Sequence, residues 1–186
     1  MSEHDKALRD HVALVTRAAD FAARRHATQA RKGAAREPYI NHLAEVAALL
    51  AETAEEPDAL LVAAGWLHDT VEDTTTEREE LAERFGKEIA EVVAECTDDK
   101  SLPKAERKRL QIETAPHKSA RAKALKIADK ISNLRSLMVS PPDNWERDRL
   151  IDYVDWAEKV VAGCRGVNPR LDELFDRTIT EARKIL

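Results

Sequence analysis

ALLVAAGWLHDTVEDT, residues 59–74, runs an apolar helical stretch straight into one histidine and three carboxylates. Ionisable groups lose free energy when taken out of water, so a cluster of them at the end of a buried helix needs compensation, most simply by a metal ion. Positions three and four apart share a helix face, which pairs His68 with Glu72, Asp69 with Glu72, and Asp69 with Asp73. The expected result is a single patch at the helix C-terminus. The helix dipole disfavours added negative charge there, and a cation relieves it.

The rest of the chain is helical in character. Apolar residues recur with the helical period, turns are short, and no strand pattern of useful length occurs. A first helix is expected over about Lys6 to Gln29, burying Leu8, Val12, Val15, Ala19 and Ala22. RKGAAREP (31–38) is a loop, followed by a helix over about Ile40 to Thr53. Pro57 opens the helix of the quoted segment, expected to end near Val71. Thr76 with Glu79 suggests a capping box for the next, closed by Gly86. Further helices are expected at about 87–97, 103–114, 119–138 and 145–163, and Asn168-Pro169 starts a last one. The expected fold is all-α, roughly eight to ten helices in one domain spanning 1–186.

Composition narrows the function classes. With 43% hydrophobic residues, global disorder is disfavoured although 35% are charged. Cys96 and Cys164 form neither a disulfide framework nor a metal-site spacing, which suits a reducing cytoplasm. The polar start MSEHDKALRD is unlike a signal peptide, and no apolar run approaches the roughly 20 residues a membrane span needs. The net charge of −5 is uneven: residues 100–135 hold eleven Lys/Arg against Glu106, Glu113 and Asp129, a local +8 that leaves −13 elsewhere. Most of these cations belong on solvated helix faces. A basic rim on an acidic protein suits a small phosphorylated ligand better than nucleic acid.

Two further pieces raise the weight of His68-Asp69. His42 lies in YINHLAEV, and Asp129 lies in KIADKISNLR with Asn133 one turn later on the same face. Each alone is an ordinary helix residue. Together they offer two imidazoles and two carboxylates, a set suited to Mn²⁺, Fe²⁺ or Zn²⁺.

The spacing His42…His68-Asp69…Asp129 resembles the signature of HD-domain phosphohydrolases, an all-helical superfamily. QARKGAAREPYINH (29–42), LHDTVEDT (67–74), TDDKSLPKAERKRLQ (97–111) and KIADKISNLR (126–135) resemble the hydrolase domain of RelA/SpoT proteins. Closest in pattern are the stand-alone small alarmone hydrolases of the metazoan SpoT-homologue type, over roughly residues 18–165. The resemblance implies a cytoplasmic, Mn²⁺-dependent enzyme with one divalent ion per chain. It would remove the 3′-pyrophosphate of guanosine tetra- and pentaphosphate, with no nucleic-acid or membrane partner. No nucleotidyl-transfer domain follows, so no alarmone synthesis is expected. Two positions depart from the pattern: Leu43 replaces a common proline, and Ser132 an aromatic or histidine. Ser132 is expected to loosen packing near the guanosine.

Carried over residue by residue, the pattern makes His42, His68, Asp69 and Asp129 metal ligands. Glu72 and Asp73 orient or deprotonate the attacking water, and Asn133 sits near ribose and reacting phosphate. Arg31, Lys32, Lys104, Arg149 and Tyr153 contact the nucleotide, with Thr97 and Lys100 as weaker candidates. His4, His11, His26 and His117 are expected to be surface or structural. Trp66, Trp145 and Trp156 are expected in the core or between helices. Competing expectations are an HD phosphohydrolase for another nucleotide such as NADPH, and, more remotely, a non-catalytic alarmone receptor.

Overall fold

The computed structural model describes residues 2–186. In chain order its helices are α1 (Glu3–Arg25), α2 (Ile40–Thr53), α3 (Ala59–Leu67), α4 (Thr70–Asp73), α5 (Arg78–Phe85), α6 (Lys87–Cys96) and α7 (Lys104–Thr114). A 3₁₀ turn (Ala115–His117) leads to α8 (Ala120–Val139), α9 (Arg147–Ala162) and α10 (Pro169–Ile185). Among the described residues there is no named strand, only an isolated bridge between Ala30 and Pro38 that pinches the base of the 31–38 loop. The all-α expectation holds. Among the described residues no helix is long and apolar enough to cross a membrane.

Two helices organise the packing. The apolar α3 lies between α1 and α2, while α8 packs against α2, α6, α9 and α10. The α2–α3 approach depends on Gly65, where a Cβ would lie 2.9 Å from Leu50 Cδ1 and 3.2 Å from the Ala47 Cα. Only a glycine lets these backbones close so far, and they carry His42 and His68. On α8, Leu125, Ile127, Ala128, Ile131 and Leu134 are fully buried, and the polar Lys126, Asp129, Lys130 and Ser132 are buried as well. Burying four polar side chains among aliphatics is costly unless each finds partners, and all four face the site described below.

Several boundaries differ from the sequence expectation, each for a local reason. α1 starts earlier because Ser2 and Asp5 form a capping box: Asp5 N–H donates to Ser2 Oγ (3.1 Å) and Ser2 N–H to Asp5 Oδ2 (3.0 Å). Its first turns overshoot the bundle, so Leu8 and Val12 are 56% and 59% exposed and burial begins only at Ala18. The quoted helix stops at Leu67 rather than near Val71. His68 Nδ1 bonds the Gly65 carbonyl (2.8 Å) and Thr70 Oγ1 donates to the Leu67 carbonyl (2.6 Å), so side chains take up carbonyls where the helix breaks. The Thr76–Glu79 capping box does not form. Thr76 is buried with its hydroxyl 2.9 Å from Thr74 Oγ1, and α5 begins after Glu77. Gly86, at φ +97°, closes α5 as expected, and Asn168 caps α10 by accepting the Leu171 N–H (3.1 Å).

Candidate active site

Breaking the helix after Leu67 places His68 and Asp69 in the step between α3 and α4, pointing at α2 and α8. His42 Nε2 lies 3.6 Å from Asp69 Oδ2 and 3.3 Å from Asp129 Oδ1. His68 Nε2 lies 3.1 Å and 3.9 Å from the same two oxygens. Donors around one divalent ion at about 2.1 Å stand no more than about 4.2 Å apart, so these distances suit a shared cation. The fit has a second sign. His68 Nε2 is buried without a hydrogen-bond partner, its other nitrogen being committed to Gly65. Its close approach to Asp69 is thus ionic proximity, not a directed hydrogen bond. His42, His68 and Asp69 present ligand atoms all within 4.8 Å of one another, and with Asp129 Oδ1 beside both imidazoles the four could hold a metal.

The electrostatics agree. Burial opposes charge on His68, yet the Asp69 and Asp129 carboxylates overcome it and push its pKa up to about 9. Burial likewise opposes charge on Asp69 and Asp129. The imidazoles, with Lys130 at Asp129, nevertheless hold both well below the usual carboxylate range. A proton on His68 therefore occupies the role a cation would fill.

The surrounding residues orient this set. Ser132 Oγ donates to Glu45 Oε2 (2.6 Å), so its lone pair accepts from His42 Nδ1 (2.9 Å), which turns His42 Nε2 toward the carboxylates. Arg135 in turn holds Glu45 at 2.9 Å. Ser132 is fully buried in this relay and does not loosen the site; that expectation is corrected. Tyr39 donates to Asp69 Oδ2 (2.6 Å), Lys130 Nζ to Asp129 Oδ2 (2.8 Å), and Asn133 Nδ2 to Asp129 Oδ1 (2.7 Å). Leu43 is fully buried in α2, one residue from His42, and helix geometry there needs no proline.

Two spaces meet at this cluster. A small chamber of about 150 Å³ is lined by His68, Asp69, Glu72, Lys126, Asp129 and Lys130. An outer cavity of about 550 Å³ holds Arg31, Lys32, Lys104, Arg149, Tyr153 and Asn133, bringing together all the expected nucleotide contacts. Tyr39, Asp98, Gln111 and Asn133 line both spaces and so mark the passage between them. Lys104 has its pKa lowered by burial and then by Arg149, Lys32 and Arg107, the signature of cations crowded without enough counterions.

The Glu72-Asp73 pair is divided. Glu72 lines the inner chamber, accepts the Asp98 N–H (3.0 Å), and burial raises its pKa. Asp73 lines the outer cavity, accepting from Gln29 Nε2 (3.0 Å) and paired with Lys100. Adjacent residues on one helical turn point about 100° apart, so they cannot share one water equally.

Residues 18–153 match the HD-domain family. The chain belongs to the HD-domain family. Its curated relatives include the guanosine-3′,5′-bis(diphosphate) 3′-pyrophosphohydrolase MESH1 of Xenopus tropicalis, 48% identical over 164 residues, which cover 88% of this chain and 92% of the relative. The human protein of the same name is 48% identical over 161 residues, covering 87% and 90%. Among solved structures, one described as a metazoan SpoT orthologue that hydrolyses ppGpp superposes with a TM-score of 0.87 at 42% identity. It covers 94% of this chain and 97% of its own.

In this HD-domain chain several site residues carry no motif-level signal. Trp145 lines the outer cavity, with Arg149 4.4 Å and Lys104 5.9 Å from its ring centroid. Trp156 lines it too, but it also packs against the core and donates Nε1–H to the Lys108 carbonyl (3.0 Å), a core and helix contact as expected, and Trp66 likewise packs against the core. Tyr39 was legible only as the neighbour of His42 in PYINH. Of the weaker candidates, Lys100 reaches Asp73, whereas Thr97 spends its hydroxyl on the Val93 carbonyl (2.9 Å). His4, His11 and His117 are exposed, and His26 is buried in a stack on Tyr39.

Proposed function

We infer that this chain hydrolyses the 3′-pyrophosphate of guanosine 3′,5′-bis(diphosphate) and of its 5′-triphosphate counterpart, releasing GDP or GTP and pyrophosphate. The observation that carries the reading is the junction of an imidazole–carboxylate cage with a large cationic, aromatic-walled cavity. Relatives of nearly equal length bear that activity in their names. The whole chain, 1–186, would act as one domain in a reducing cytoplasm, consistent with two buried free cysteines.

His42, His68, Asp69 and Asp129 would hold one divalent ion, with Mn²⁺ the preferred candidate. When bound, such an ion supplies Lewis-acid charge toward the phosphate and acidifies water. The remaining steps belong to the chain. Trp145, Tyr153 and Trp156 offer faces and edges for the base, and Arg31, Lys32, Lys104 and Arg149 meet the phosphates. Asn133, held between Arg31 Nη2 (2.9 Å) and Asp129, fixes the ribose end at the passage to the inner chamber. A water oxygen bonds to the proximal phosphorus while that phosphorus separates from the ribose 3′ oxygen. Glu72, kept basic enough by its buried position, takes the water's proton, and the 3′ oxygen is protonated from solvent. Asp73 arranges Lys100 and Gln29 at the cavity edge.

The test is steady-state hydrolysis of guanosine 3′,5′-bis(diphosphate), NADPH and GTP by the manganese-loaded protein. Pyrophosphate release from the first alone supports the reading. Preference for NADPH would instead make the chain an HD phosphohydrolase of another nucleotide, and tight binding without turnover a receptor.

A further inference from the structure

Lys126 is 6% exposed, and its ammonium makes a single hydrogen bond, to the Cys96 carbonyl (2.9 Å). Its neighbour one turn on, Lys130, is equally buried but paired with Asp129. Among the described residues Lys126 has no comparable ion pair. A buried ammonium has three donors and a desolvation cost of several kcal/mol, which one carbonyl does not offset. The Glu72 carboxylate lines the same chamber and acts on Lys126 electrostatically but lies beyond ion-pair distance, so the ammonium keeps donors free for a further anion.

Its position identifies the anion. Tyr39, Asp98, Gln111 and Asn133, which the inner chamber shares with the outer cavity, form the near end. Cys96 and Lys126 line the chamber and the groove behind it, between α6 and α7, but not the outer cavity. They are the far end. A nucleotide seated in the outer cavity with its proximal 3′-phosphorus at the imidazole–carboxylate cage therefore extends its distal phosphate toward Lys126.

We propose that Lys126 is the binding site for the distal phosphate of the 3′-pyrophosphate, and so selects a diphosphate over a monophosphate as the group removed. This rests on the hydrolase reading above and adds a specificity residue to it. The plain alternative is that Lys126 only caps the C-terminus of α6, whose last residue is Cys96.

Lys126→Gln separates the two, because the amide still donates to the Cys96 carbonyl while the charge is gone. The substrates are guanosine 5′-diphosphate carrying either a 3′-diphosphate or a 3′-monophosphate, with inorganic pyrophosphate and orthophosphate as product inhibitors. Losing a charge-assisted phosphate contact should lower kcat/KM for the 3′-diphosphate roughly 10- to 100-fold. The 3′-monophosphate rate should barely change, and pyrophosphate inhibition should weaken by a similar factor. Equal losses on both substrates, or none on either, would overturn the proposal. If Lys126→Gln does not fold, the wild-type protein still decides: pyrophosphate should inhibit roughly 10-fold more strongly than orthophosphate, and equal inhibition would refute a distal-phosphate site. Calorimetric binding of pyrophosphate to wild-type and Lys126→Gln holoenzyme needs no turnover. It therefore tests Lys126 even if the nucleotide assignment fails, which absent hydrolysis of the bis(diphosphate) by the wild type would show.

Discussion

Replacing Glu72 by Gln isolates proton transfer from metal binding. The side chains are isosteric, and the amide oxygen can still accept the Asp98 N–H that the carboxylate accepts at 3.0 Å, so the α4 turn should keep its place. Glu72 is not needed to complete the cage, since the His42 and His68 Nε2 atoms each already stand 3.1–3.9 Å from an Asp69 and an Asp129 oxygen. What disappears is a carboxylate whose pKa burial has raised, the property a base working near neutrality requires. Losing a general base costs on the order of 10² to 10⁴ in rate, about 3–5 kcal/mol of barrier. Single-turnover rates, metal stoichiometry and nucleotide dissociation constants should show that loss in kcat alone. The pH profile adds a check. The base works when deprotonated, so wild-type activity should fall as pH drops through the raised Glu72 pKa, and the residual Glu72→Gln rate should lack that fall. Undiminished turnover in Glu72→Gln would refute the base assignment, and loss of metal alongside turnover would make Glu72 a ligand. Asp73→Asn should cost no more than about tenfold and mainly in KM, because Asp73 faces the outer cavity.

Four further outcomes are expected. Ser132→Ala removes the hydroxyl between Glu45 and His42, and should weaken metal affinity roughly 10- to 100-fold in a chelator competition; unchanged affinity would show that the relay does not orient the His42 ring. In the metal-free protein His68, raised from 6.5 to about 9, is protonated at neutral pH, so metal binding should release close to one proton per chain, measurable by calorimetry in buffers of different ionisation heat. The same shift should stabilise the metal-free fold fully below pH 6.5, with the contribution lost as pH rises toward 9; a flat thermal-stability profile over that interval would contradict it. Arg31→Ala and Lys104→Ala should each raise KM more than they lower kcat, through loss of phosphate contacts kept throughout the reaction, and a selective kcat loss would argue against a binding role.

The helices, the loop before Ile40 and the HD and ED pairs were legible because each has a local signature: period, cap, or a cluster of charges that burial would penalise. What escaped depends on tertiary placement. Leu8 and Val12 have a faultless amphipathic period, yet the bundle ends before reaching them. Ser132 looked like a deficit beside a bulkier family residue, but a hydroxyl can both donate to Glu45 and accept from His42, which only the crossing of α2 and α8 reveals. The division of Glu72 from Asp73 follows from a one-turn helix that begins afresh after the His68-Asp69 break. Trp145 and Trp156 read as core or helix-contact residues from their isolated positions at helical spacing. Their role as cavity walls arises where α9 and its preceding loop face α7.

The most direct measurement is pyrophosphate release from guanosine 3′,5′-bis(diphosphate) by the manganese-loaded protein, by the same protein after chelation, and by manganese-treated Asp129→Ala. Equimolar GDP and pyrophosphate from the first, with turnover abolished in the other two, is the expected result. Release of orthophosphate, or activity that survives both chelation and Asp129→Ala, would contradict a metal-dependent 3′-pyrophosphohydrolase at this site.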